Sequence, residues 1–189
     1  MNVQLRNLLV LLLLAFPFAR ALADDYADTI KVFRGAGESG QFFSKSYGYV
    51  VFPTIGKGGF GIGGAYGTGR VYAKGVYVGD SSMTQITVGF QLGGQAYSQI
   101  IFFEDKRAFD EFTGGNFEFG AQATAVAITA GASAQAGTTG PSATASGTQH
   151  AAKTAGKYNK GMVVFTVAKG GLMYEASIGG QKFSYKRKQ

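Results

Sequence analysis

Hydrophobic and polar residues alternate with a period of two over most of the chain, a pattern that is typical of β-strands with one buried face. The pattern is clearest in Met83–Gln91, and Gln95–Phe103 is its predicted partner strand; both runs contain several β-branched and aromatic residues. Gly93-Gly94 lies between the two runs, so we expect them to pair as a β-hairpin. In the first run the alternation predicts that Ile86 is buried and that its neighbour Gln85 faces the solvent.

Shorter runs of the same kind predict the rest of the sheet, and glycine-containing turns such as Gly79–Ser82 and Gly179-Gly180 separate several of them. The runs are Tyr47–Phe52, Val71–Val78, Asn116–Gly131, Met162–Lys169, Leu172–Ile178 and Gln181–Tyr185. Together these elements predict an α+β fold that is mainly β, with about eight or nine strands and short helices. We expect an antiparallel meander that forms one barrel-like or sandwich domain.

Two segments have a helical pattern instead. Asp24–Arg34 begins with acidic residues, and its residues Tyr26, Ile30 and Phe33 recur at the spacing of one helix face. This apolar stripe of an N-terminal amphipathic helix either packs on the sheet, as most such stripes do, or lies on a membrane surface. Glu104–Phe112 predicts a second short helix, which the glycines that follow it terminate.

Glycines crowd the stretch Ser46–Arg70, so another part of the protein must approach this backbone closely, or the backbone must bend sharply. Gly56–Gly61 formally matches the phosphate-binding pattern G-x-G-x-x-G. A dinucleotide site needs a helix that starts at this point, and the glycines that follow exclude one. We therefore interpret the stretch first as tightly packed sheet, and second as an exposed edge beside the N-terminal helix.

The N-terminal residues 1–23 have the features of a cleaved signal peptide. Arg6 precedes the apolar run Leu8–Phe18, which is shorter than the roughly 20 residues that span a bilayer, and Ala21-Leu22-Ala23 is a typical cleavage site. Residues 24–189 then form one domain, in which the small polar residues of Gly131–Gly156 predict a low-complexity loop. We expect an exported protein that is periplasmic and peripherally associated with the cell envelope, or secreted.

The charge balance points to anionic partners. The chain has 18 basic and 11 acidic residues and a formal net charge of +7. Such an excess attracts phosphate-bearing surfaces, and export makes phospholipid headgroups a better match than nucleic acid. The chain has no cysteine, so stability cannot come from disulfides.

Residues with catalytic or metal-binding chemistry are sparse and scattered. The only histidine, His150, lies in the low-complexity segment, and the isolated acids Glu118 and Glu175 are predicted to lie on the outer face of the sheet. No metal site or nucleophile with its base can be assembled from such neighbours. We therefore expect no enzymatic activity, no cofactor, no metal and no small-molecule substrate.

A small outer-membrane β-barrel, or a structural envelope protein, is the alternative class. Export, alternating strands and many glycines and tyrosines agree with a barrel. The predicted strands are shorter than the roughly nine to eleven residues that span a membrane, and tryptophan is absent, which argues against it.

Four blocks of the chain, taken as an ordered set, resemble the SYLF domain, also called the lipid-binding SYLF or actin-regulator domain. The blocks are GYVVFPTIGKGGFGIGGAYGTGRVY, ITVGFQLGGQAYSQIIFFEDKRAFDEF, FEFGAQATAVAITAGA and MVVFTVAKGGLMYEASIGGQKFSY. The resemblance extends from about Asp25 to Tyr185 and is greatest to exported bacterial members. It implies a phospholipid-binding module, in which an amphipathic N-terminal helix and basic residues contact the lipid.

We accordingly expect the partner to be an anionic phospholipid or membrane surface. Actin is not expected as a partner of an exported bacterial member, although some fungal members bind it. The residues that we expect to contact lipid are Tyr26, Ile30, Lys31, Phe33, Arg34, Lys45, Lys57, Lys186, Arg187 and Lys188. Among them the basic residues would attract the anionic surface, and Ile30 and Phe33 would insert.

Overall fold

The computed structural model describes residues 25–89, 95–121, 123–128, 157–169 and 178–189, and it contains a curled sheet with short helices on it. Helix α1 spans residues 25–35. The other helices are α2 (Gly37–Gly40), α3 (Phe42–Lys45) and α4 (Lys106–Thr113). The strands are β1 (Gly48–Ala73), β2 (Val76–Gly89), β3 (Gln95–Phe103), β4 (Phe117–Glu118), β5 (Val126–Ile128), β6 (Met162–Lys169) and β7 (Lys182–Arg187).

The described strands form one seven-stranded sheet in the order β4-β7-β2-β1-β3-β6-β5. All neighbouring pairs are antiparallel except β5 and β6, which are parallel. The sheet curls into a half-barrel, so the expected mainly β fold with an N-terminal helix is confirmed.

Strand β1 is the centre of this curl, because it pairs with β3 through its first half and with β2 through its second half. Between the halves Gly59 has a φ of 152°, a conformation that residues with a side chain rarely adopt. The halves then pack on each other: a Cβ on Gly67 would lie 2.6 Å from Ile55 Cγ1, and one on Gly69 would lie 2.7 Å from the Phe52 ring. Tight sheet packing, the first interpretation of the glycine-rich stretch, is thus what the structure shows.

The predicted hairpin between Met83–Gln91 and Gln95–Phe103 is wrong. The bounds of β3 agree with the prediction, but its neighbours in the sheet are β1 and β6, and β1 separates it from β2. Two alternating runs joined by glycines can equally well be next-but-one neighbours, and the sequence does not distinguish these arrangements. The bounds of β6, predicted as Met162–Lys169, also agree.

The first real hairpin turn lies at Lys74-Gly75, where both residues have positive φ angles, of 49° and 80°. These angles match a two-residue turn of the kind that suits the twist of a β-ribbon. The predicted strand Val71–Val78 is therefore the end of one strand, a turn and the start of the next. The predicted turn Gly79–Ser82 lies within β2, where Gly79 packs closely against the backbone of Lys186 and the buried Ser81 hydroxyl donates to the Ser184 carbonyl oxygen at 2.7 Å.

The predicted burial of β2 is reversed. Ile86 is 81% exposed, whereas Met83 is fully buried and Gln85 is only 7% exposed. Gln85 is satisfied there, because its Nε2 donates to the carbonyl oxygen of Gly179 at 2.8 Å. The alternation correctly divided the residues of β2 between its two faces. The expectation that the face with Ile86 lies on the core was wrong, because the face with Met83 and Gln85 lies there.

Two hydrophobic clusters lie on opposite faces of the sheet. The inner, concave cluster includes Phe52, Phe103, Phe112 and Phe183. The outer cluster lies under the N-terminal helices and buries Phe33, Ala36 and Phe42 from the helices against Tyr49, Val51, Phe102 and Phe165 of the sheet. The apolar stripe of α1 thus packs on the sheet, the first of the two alternatives that its pattern allowed.

Helix α4 confirms the second predicted helix. Asp105 caps its N-terminus by accepting a hydrogen bond from the Ala108 amide at 2.8 Å, and Gly114 follows its last residue. The continuous strand predicted for Asn116–Gly131 is wrong, because β4 pairs with β7 at one edge of the sheet and β5 pairs with β6 at the other.

Some predicted features lie outside the described residues. They are the signal peptide, the glycine pair at residues 93–94, the low-complexity loop with its histidine, and most of the run 172–178 with its acidic residue.

Candidate functional site

The outer face of β1, β2 and β7 carries ordered cross-strand rows of side chains. The antiparallel register aligns Arg70, Asp80 and Lys186 in one row. The next row contains Thr68, Ser82 and Ser184, with the last two hydroxyls 2.7 Å apart. We call this surface, which continues along the ribbon to Ile62 and Ile86, the outer ribbon face.

The charged row and the hydroxyl row border an open groove of about 370 Å³. Tyr26 of helix α1 closes one side of it, and its hydroxyl donates to the Thr68 carbonyl oxygen at 3.4 Å. The side chain of Lys186 is exposed and forms no ion pair or hydrogen bond with the described part of the chain. We call this feature the cationic groove.

Aromatic rings hold the Arg70 guanidinium in place. Its Cζ lies 4.3 Å from the centre of the Tyr26 ring and 5.3 Å from that of Tyr77. The Tyr77 hydroxyl donates to Asp80 Oδ1 at 2.8 Å, which fixes that ring. Local desolvation and this hydrogen bond to a carboxylate raise the pKa of Tyr77 to about 12, so the hydroxyl is a neutral donor at physiological pH. The guanidinium is therefore preorganised by stacking, and it forms no ion pair with the residues that the structure describes.

The other end of the outer ribbon face is apolar and exposed. Ile62 is 72% exposed, Tyr66 is 58% exposed and Ile86 is 81% exposed. Gly64 lies opposite Ile86 in the register, so no side chain of that neighbour covers the isoleucine. Exposed apolar side chains of this size on adjacent positions of one strand pair are typical of contact surfaces. We call these three residues the apolar end.

The structure brings several of the predicted lipid-contact residues to the cationic groove. Tyr26 and Lys186 border it. Lys188 lies next to it, with Nζ 4.8 Å from the centre of the Tyr77 ring, and Arg187 is exposed at the end of β7. The basic C-terminal tail and the start of α1 thus border the same groove, although they are far apart in sequence.

The remaining predicted residues do not join this group. Phe33 is fully buried and Ile30 packs against the outer cluster, so neither is free to insert in this conformation. Lys31 pairs with Asp28, and Arg34 stacks on Phe43. The other two basic residues of this set are Lys45, which is exposed at the end of α3, and Lys57, which is partly buried and pairs with Gln95 in the sheet.

Sequence reasoning missed Arg70, Asp80 and the serines of the groove. The signal that could have found them is the turn at Lys74-Gly75. A hairpin centred on that turn, with the one-residue irregularity after Val71, places Arg70 opposite Asp80. Assigning a turn to Gly79–Ser82 instead concealed this pairing.

The described residues offer little to any other chemistry. In that part of the chain, no group of three or more histidine, aspartate or glutamate side chains is arranged to hold a metal ion. None of the helices that the structure describes is both long enough and apolar enough to cross a bilayer. Glu118 faces outward, as predicted, and pairs with Lys182 at 3.6 Å.

Comparison with known proteins connects this site to one family. A family model described as Ysc84, Las17-binding protein actin regulator, matches residues 84–189, which is more than half of the chain. The matched region begins within β2 and includes β3 to β7, and hence the Ser184 and Lys186 side of the groove. A comparison with curated proteins finds no match.

Proposed function

Because this chain belongs to the Ysc84 family of SYLF domains, which are lipid-binding or actin-regulator-type modules, we propose that it binds phospholipid at anionic membrane surfaces. The family is generally non-enzymatic, and we propose the same of this protein. The proposed partner is an anionic membrane surface of the cell envelope. The proposed location is the periplasm, following removal of residues 1–23 by a signal peptidase.

The outer ribbon face is the observation that carries this proposal. It combines a cationic groove at one end with exposed apolar side chains at the other, on one continuous surface of the sheet. Arg70 and Ile62 are eight positions apart on β1, a distance of roughly 26 Å at about 3.3 Å per residue. Since headgroup phosphates and the acyl boundary lie much closer together than that, the face would lie along the membrane surface.

Long-range attraction would come from exposed basic residues around this face and on the helices. They include Lys31, Arg34, Lys45, Lys186, Arg187 and Lys188. Each basic residue near an anionic surface contributes about 1 kcal/mol, and the contribution falls off within a Debye length of about 8 Å at physiological salt. Binding should therefore weaken as the salt concentration rises.

The apolar contact is assigned differently from the sequence-based expectation. Helix α1 uses Phe33 to hold itself on the sheet, and releasing it would expose the outer cluster. Tyr66, Ile62 and Ile86 are already exposed, so their contact with lipid requires no rearrangement of the fold. Burying an aliphatic side chain of this size is worth about 1.5–3 kcal/mol when burial is complete.

Vesicle flotation tests the proposal. The purified protein is mixed with neutral vesicles or with vesicles that contain about one third phosphatidylglycerol, at low and at high salt. We expect flotation only with the anionic vesicles, and less of it at high salt. Equal flotation with both vesicle types, or none with either, would contradict the proposed function.

The proposed location has its own test. Mass spectrometry of the protein purified from its native cells should find an N-terminus at Asp24, and fractionation should recover the protein with the periplasm and envelope. An intact N-terminus in the cytoplasmic fraction would contradict export.

A further inference from the structure

The cationic groove has the donors that a phosphate ester requires. Arg70 presents a planar guanidinium, Lys186 presents an ammonium from the other side of the charged row, and Ser82 and Ser184 present hydroxyls in the next row. Guanidinium and ammonium groups form short, charge-assisted hydrogen bonds to phosphate oxygens, and these are stronger than bonds between neutral groups.

Neither cation forms a direct ion pair with another residue that the structure describes. Among the described residues, the salt bridges with N···O distances of 4.0 Å or less include neither Arg70 nor Lys186. Asp80 lies between them in the row, but its Oδ1 accepts the hydroxyl of Tyr77. The carboxylate therefore fixes the ring on which Arg70 stacks.

We infer that the cationic groove is a binding subsite for the phosphate of a phospholipid headgroup, with Arg70 and Lys186 as its ligands and the free hydroxyl hydrogen of the Ser82–Ser184 pair as an additional donor. The inference rests on the proposed function and makes it more specific. The apolar end lies on the same face, and this continuity favours a lipid over a free phosphate ion as the source of the phosphate.

The stacking of Arg70 predicts that lysine cannot fully replace it in binding. Lysine would keep the positive charge but lose the planar fork and the stacked position between Tyr26 and Tyr77. Non-specific attraction to the membrane would not distinguish Arg70→Lys from the wild type, whereas a phosphate subsite would.

The first experiment measures the lipid concentration for half-maximal binding to phosphatidylglycerol-containing vesicles. We expect Arg70→Gln/Lys186→Gln to raise it at least tenfold and Arg70→Lys to raise it at least threefold. The matched control is Lys157→Gln/Lys160→Asn, which removes two positive charges elsewhere; asparagine suits the φ of 53° at position 160. We expect less than a threefold change for this control. Circular dichroism and thermal unfolding show whether each variant is folded.

The outcomes separate the subsite from the general function. If the wild type binds the vesicles and Arg70→Lys and the double groove variant bind as well as the charge control does, the subsite is wrong and the proposed function stands. If the wild type binds no vesicles, the proposed function itself fails.

A second measurement identifies the ligand and does not depend on variants. Backbone amide signals of Ser82 and Ser184 are followed by NMR during titration with glycerol phosphate and, separately, with inorganic phosphate. Saturable shifts with glycerol phosphate, which also competes with vesicle binding, are the expected result. No shift with either, or tighter binding of inorganic phosphate without effect on vesicle binding, would overturn the headgroup assignment.

Discussion

Gly69→Ala is expected to destabilise the fold because the two halves of β1 pack on each other at this position. The added Cβ would lie 2.7 Å from the Phe52 ring and 2.9 Å from the Val51 carbonyl oxygen, and the oxygen belongs to backbone that is held in the sheet. Overpacking of this kind typically costs about 1–3 kcal/mol. Replacing glycine by alanine in a strand stabilises the fold by about 0.5–1 kcal/mol, which offsets part of this cost. The free energy of unfolding should therefore fall by roughly 1–2 kcal/mol.

Gly56→Ala is the matched control, since it lies on the same strand and an added Cβ there has no other atom within 4 Å. The control should be as stable as the wild type or slightly more stable. The measurement is urea unfolding followed by far-ultraviolet circular dichroism, because the chain has no tryptophan. A Gly69→Ala variant as stable as Gly56→Ala would refute the claim that β1 folds back on itself.

Three further changes test the packing and electrostatics. Gln99 and Gln181 are buried and hydrogen-bonded to each other at 2.9 Å, so Gln181→Leu should destabilise by about 1–3 kcal/mol, while the double change to leucine should recover part of that loss in urea unfolding. Asp105→Ala removes a helix cap and should cost about 1 kcal/mol, whereas Glu104→Ala should cost much less; equal effects would contradict the capping role. Because the pKa of Tyr77 is raised to about 12, the native state holds this proton more tightly than the unfolded chain, with its ordinary pKa of 10. The resulting stabilisation is complete below pH 10 and is lost as the pH rises through 12, so Tyr77→Phe should flatten this part of the alkaline unfolding curve; an unchanged curve would contradict the shift.

The sequence predicted best those elements whose side chains are compatible with only one type of secondary structure. Strands β3 and β6 each contain a run of large apolar residues, Ile100–Phe103 and Met162–Phe165, and most of their residues are buried on both faces. Their predicted bounds agree with the structure. Helix α4 has a capping aspartate, Asp105, and a terminating glycine, Gly114, which are local signals that do not depend on the rest of the fold.

The arrangement of the sheet could not be predicted in the same way, because it depends on contacts between distant residues. Glycines such as Gly67 and Gly69 carry no hydrophobic signal, and only the folded structure shows that they accommodate Ile55 and Phe52. Because the curl of the sheet is not evident from the sequence, the sequence also does not indicate that Ile86 faces the solvent.

The candidate site was predicted in part. The basic tail and Tyr26 were expected to contact lipid, and the structure places Lys186 and Tyr26 beside the same groove. Arg70, which stacks on Tyr26, was not expected, because its position depends on the register of the Lys74-Gly75 hairpin. The apolar end was missed because its residues were assigned to the core.

The most direct test of the account asks which surface meets the membrane. Because the chain has no cysteine, a single introduced cysteine can carry one environment-sensitive fluorophore. The two positions are Ile86→Cys on the outer ribbon face and Val32→Cys on helix α1, and Val32 is 39% exposed. With phosphatidylglycerol-containing vesicles, we expect a blue shift, and quenching by spin-labelled lipid, for the label at position 86 and not for the label at position 32. A response at position 32 with none at position 86 would show that the helix, and not the outer ribbon face, contacts the lipid.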